Sequence, residues 1–113
     1  MEPRLPAHLE VNGLLRAVQA AGGFAAVIAR GERDAGTLLV TCCEHGKNFR
    51  AYERMPRPDG TRAWTLTKTQ DPEDTGEFSE YLERRKRQDS DLWIVELDIP
   101  GAERFIDSLG TLN

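Results

Sequence analysis

The chain has 113 residues, enough for one domain and too few for two independent cores. Its 39% apolar content supports a packed core, and its 30% charged content is too evenly balanced in sign for a disordered chain. A net charge of −4 argues against nonspecific DNA binding; no apolar run approaches the ~20 residues of a membrane span, and residues 1–6 lack the apolar centre of a secretory signal, which makes the cytosol the default compartment.

Val11, Leu14, Leu15 and Val18 recur at helical spacing. They predict a first helix that opens at Pro6 or Ala7 and ends at Ala21, with Gly22 as its left-handed C-cap residue. Gly13, inside that helix, is expected to allow close packing against a sheet. Residues 24–28 and 37–41 are apolar and flank the polar Gly31-Glu32-Arg33-Asp34. They read as an antiparallel hairpin beneath the helix.

Glu44-His45-Gly46-Lys47 is a second turn, with Gly46 where a positive φ is wanted. Strands follow at 48–55 and 61–67, separated by Pro56-Arg57-Pro58-Asp59-Gly60. Four strands joined by short turns imply a meander.

A second helix runs to about Gln88, with charges sorted by sign: Asp71 to Glu83 are acidic, then Arg84-Arg85-Lys86-Arg87. That order complements the helix dipole, and Glu80–Arg84 and Glu83–Arg87 stand at i,i+4 spacing. The narrow apolar stripe Phe78, Tyr81, Leu82 leaves one side to pack. The acidic string lacks the loop pattern of a calcium site. Leu92-Trp93-Ile94-Val95-Glu96-Leu97 fits a central strand covered on both faces. Pro100-Gly101 ends it, and Ala102, Phe105, Ile106 and Leu109 mark a short last helix closed by Gly110.

Residues 14–24 (LLRAVQAAGGF), Arg30-Gly31 with Asp34-Ala35-Gly36, Arg62-Ala63-Trp64 and residues 91–96 (DLWIVE) form a recognisable set. Together they resemble the bacterial domain-of-unknown-function family 1491, over a span from about Arg4 to Glu96. The resemblance implies a single-domain cytosolic bacterial protein and carries over no catalytic residue. Cys42-Cys43-Glu44-His45 and the C-terminal Pro-Gly helix lie outside the motifs that match.

Two constellations could carry chemistry. Cys42-Cys43-Glu44-His45 brings thiol, acid and imidazole together, but adjacent strand residues point to opposite faces, so only one cysteine can serve a given site. Neighbouring cysteines also lack metal-ligand spacing, and no cofactor or metal is expected. The bland counterpart is one buried cysteine and a solvated turn histidine. The second constellation is a sheet face. Alternation puts Arg50, Tyr52 and Arg54 on one side of the third strand and Arg62, Trp64 and Leu66 together on the fourth.

The expected fold is therefore α+β: a single antiparallel sheet of about five strands with two main helices packed on one face, in the order α-β-β-β-β-α-β-α. The leading functional reading is a non-catalytic binding or adaptor module that presents Arg50, Tyr52, Arg54, Arg62 and Trp64 on an exposed sheet face. Its partner would be a protein or a second copy of the chain. The alternatives are single-stranded nucleic acid on the same face and an enzyme using Cys43 with His45.

Overall fold

The computed structural model describes residues 5–110. Along the chain they form α1 (Ala7–Ala20), β1 (Phe24–Ala29), β2 (Leu38–Glu44), β3 (Lys47–Pro56), β4 (Arg62–Thr69), α2 (Gly76–Gln88), β5 (Trp93–Asp98) and α3 (Glu103–Gly110). α1 buries Ala7, Val11, Leu14 and Val18. It stops in a Schellman motif: the Gly23 N–H donates to the Val18 carbonyl, the Gly22 N–H donates to that of Gln19, and Gly22 takes φ +88°. Gly13 lies on the outer face with open space around it, so it is not a packing glycine against the sheet.

The sheet order is β1-β5-β2-β3-β4. β1 and β2 run in opposite directions as a hairpin would, yet they do not pair, because β5 lies between them. β5 is antiparallel to β1 and parallel to β2, so the sheet is mixed rather than wholly antiparallel. The cause is burial. Leu92 to Val95 are all at most 3% exposed, and only an interior position covers both faces of such a run. A parallel neighbour needs a long crossover, which β3, β4 and α2 supply.

The helices also divide between the two faces, against the expectation that α1 and α2 share one. α1 and the start of α3 cover Leu38, Val40, Cys42, Trp93, Val95 and Leu97. α2 lays Phe78, Tyr81 and Leu82 over Ala29, Leu39, Ala51, Leu92 and Ile94 on the other face. β2 dictates this arrangement: Leu38 through Cys43 are buried without a break, so both of its faces must be covered. Ala102, just before α3, and Ile106 within it are buried, and the side chain of Leu109 lies outside the described residues.

The turn after β2 follows the sequence closely, whereas the 30–37 loop, expected to turn a hairpin, joins strands that β5 separates. His45 and Gly46 both have positive φ between the paired Glu44 and Lys47, giving a two-residue hairpin. The 30–37 loop crosses tightly over the entry to β5, where the Trp93 Nε1–H donates to the Glu32 carbonyl at 2.7 Å.

Candidate functional site

The register of β3 and β4 does bring the predicted residues together. Arg54 pairs with Trp64, Tyr52 with Leu66 and Pro56 with Arg62, while a bulge between Ala51 and Tyr52 sets Arg50 opposite Thr69. This face is not open, however. α1 and α3 close over it, and only Arg62 among the five is fully exposed. The sequence could not place the helices, and with them it could not assign the face to solvent or core.

The covered side chains form a polar seam under the helices. Arg50 spans Glu44 (2.8 Å) on β2 and Glu103 (2.7 Å) on α3. The Tyr52 hydroxyl donates to the same Glu103 carboxylate at 2.9 Å. The Arg54 guanidinium donates to Glu10 of α1 at 2.7 Å and lies 5.0 Å from the centre of the Trp64 ring. Hydrogen bonding to Glu44 and Glu103 outweighs burial and holds the Arg50 pKa above its usual range. Burial pushes the Glu103 carboxyl up, but donors from Arg50, its own backbone and Tyr52 bring it below the usual value. Burial, reinforced by the Glu103 carboxylate, raises Tyr52. Each guanidinium in this seam is already committed to a carboxylate.

Cys42 and Cys43 are free thiols, and both are buried, one toward each face, rather than one alone. Burial drives their pKa values to about 12 and about 11, and His45 beyond them is exposed. The basic end of α2 is not simply solvated either. Arg85 grips Glu53 of β3 with two hydrogen bonds of 2.6 and 2.7 Å. The spaced pairs Glu80–Arg84 and Glu83–Arg87 form no ion pair among the described residues.

Among the described residues, β1 leaves an apolar surface uncovered. Among the described residues it is an edge strand bonded to β5 alone, and its six residues, Phe-Ala-Ala-Val-Ile-Ala, carry no charge and no proline. Phe24 is 77% exposed, Ile28 51% and Val27 36%. Phe24 and Ala26 lie on the face that α2 occupies further along, opposite the half-buried Asp98 and Glu96 of β5. A bulge at Ile28 turns that residue into a groove of about 280 Å³, lined by Ala29, Ile94, Leu82 and Ser79 with Glu83 and Lys86 at its lip. The opposite edge, β4, is blunted by Arg62, Lys68 and three threonines. Sequence reasoning missed the β1 site because it gave β1 a partner in β2. The available signal was a strand with no charge at either face.

The family model described as "Protein of unknown function (DUF1491)" matches residues 5–107, so the match runs through Cys42 to His45 and into α3, beyond the motifs legible in the sequence. The crystal structure of a DUF1491 family protein from Caulobacter crescentus CB15 is 29% identical with a TM-score of 0.75, covering 89% of this chain and 94% of that one. The NMR structure of a DUF1491 family protein from the same organism is 29% identical, with a TM-score of 0.76 and coverage of 91% and 93%. The solution structure of protein Atu0922 from A. tumefaciens is 32% identical, with a TM-score of 0.65 and coverage of 86% and 87%. No curated protein matches the chain. None of the described helices is long and apolar enough to cross a membrane.

Proposed function

The chain belongs to the DUF1491 family, and we propose that it is a non-catalytic cytosolic binding module that docks an extended protein segment along the edge of β1. One observation carries this reading: β1 is an uncharged, apolar strand with an edge unpaired among the described residues and a groove beside Ile28. An unprotected edge of this kind offers a ladder of backbone donors and acceptors to another strand. The groove adds a pocket for an apolar side chain, so backbone bonds supply affinity and the pocket supplies selectivity.

The sheet face of Arg50, Tyr52, Arg54 and Trp64 supports a binding role less well, since helices cover it and its cations are paired. For the same reason, it has few free charges for a nucleic-acid backbone. Thiols whose pKa values lie near 11 and 12 are poorly suited to nucleophilic work.

The test is a titration of short extended apolar peptides into isotopically labelled protein, followed by NMR. Shift changes confined to β1 and the groove, and lost in Val27→Lys, are the expected result. No binding, or shifts centred elsewhere, would reject the reading.

A further inference from the structure

We propose that the segment docked on β1 is the β1 of a second copy, paired antiparallel across a two-fold axis at Ala26 into one continuous ten-stranded sheet. This rests on the reading of β1 as a docking edge and names its partner. Antiparallel neighbours point to the same face. The axis must therefore stand perpendicular to the sheet and pass through a residue, not between two.

Placed at Ala26, the axis sets Phe24 opposite the partner's Ile28 and Ala25 opposite the partner's Val27. The most exposed apolar residues of the strand then cover one another, twice over. The small alanine at the axis leaves room for two identical side chains to meet.

Charge favours the same arrangement. The perpendicular axis leaves α2 on the same face in both copies. Lys86 sits at the groove beside Ile28, and so beside the partner's Phe24. Next to Phe24 on that face stand Asp98 and, one pair further along, Glu96. Within their own chain neither Lys86 nor Glu96 forms an ion pair among the described residues. Self-pairing brings the unpaired cation of each copy toward the unpaired acid of the other. Glu83, on the same lip, opposes this in part.

Sedimentation velocity from micromolar to sub-millimolar protein tests the proposal. The expected result is a species of twice the 12.7 kDa chain mass. Ala26→Lys, which brings two lysines together at the axis, should give a monomer with an unchanged thermal transition; Phe24→Lys, at a position 77% exposed, guards against misfolding of the first variant. Lys86→Glu and Glu96→Lys should each weaken the dimer about tenfold, and the double variant should restore it. A wild-type monomer throughout, or a dimer that survives both Ala26→Lys and Phe24→Lys, overturns self-pairing. A monomer that still binds peptides along β1 leaves the docking reading standing.

Discussion

Arg54 and Glu10 meet at 2.7 Å with side chains only 5% and 6% exposed, an ion pair sealed between β3 and α1 under the ring of Trp64. Removing one charge strands the other away from water. Arg54→Met should therefore destabilise by about 3–5 kcal/mol, whereas Arg54→Met with Glu10→Met should recover much of that loss. Chemical denaturation of the single and double variants measures the difference. Equal losses in both would show that the pair, not the stranded charge, supplies the stability.

Gly13 faces solvent with nothing near the position of an added Cβ. Gly13→Ala should raise stability by up to about 1 kcal/mol through helix propensity alone. A thermal midpoint that falls would mean that the position has a role its surroundings do not display.

Gly31 is the opposite case. A Cβ there would lie 2.1 Å from the Asp91 carbonyl oxygen, and at Gly36 it would lie 2.4 Å from the same atom. Both obstacles are backbone, which cannot swing aside. Gly31→Ala should cost about 1–3 kcal/mol and loosen the entry to β5. Hydrogen exchange at Trp93, whose N–H donates to the Thr37 carbonyl, should quicken with it.

Glu103 anchors α3 to Arg50 and Tyr52 with a carboxyl pKa lowered from 4.5. A lowered folded value means that the unfolded chain takes up the proton first. The contribution is complete above pH 4.5 and is lost as the pH falls through the lower folded value. The wild-type midpoint should fall more steeply on acidification over that window than the midpoint of Glu103→Gln. Parallel profiles would place the acid sensitivity elsewhere.

With pKa values of about 12 and about 11, Cys42 and Cys43 expose almost no thiolate at neutral pH. A disulfide reagent should leave both unmodified in native protein and modify both at once in denaturant. Rapid labelling of Cys43 in the native state would revive a catalytic reading of the Cys-His run.

The elements themselves were legible because each carries a local signature. Gly22 closes α1, His45-Gly46 turns β2 into β3, and Phe78, Tyr81 and Leu82 mark the packed side of α2. The pairing of strands was not legible, because it depends on competition between distant segments. Residues 24–28 and 37–41 look like hairpin partners until Leu92 to Val95 claim the place between them. The site suffered from the same blindness. Alternation put Arg50, Tyr52, Arg54, Arg62 and Trp64 on one face, as the register bears out, but nothing local says that Glu10 and Glu103 will arrive from two helices to cover them.

The insertion of β5 also sets the order in which this molecule can be made. Phe24 has no strand to pair with until Asp98 exists, and β2 gains its second neighbour only at the same late moment. During synthesis, α1 through α2 leave the ribosome with the middle of their sheet missing. The apolar β1 waits unpaired on both sides, the state in which strands find wrong partners. Completion must await synthesis through Asp98, and contacts so distant in sequence make folding slow. The strand that gives the sheet its core is the last of the described five to be made.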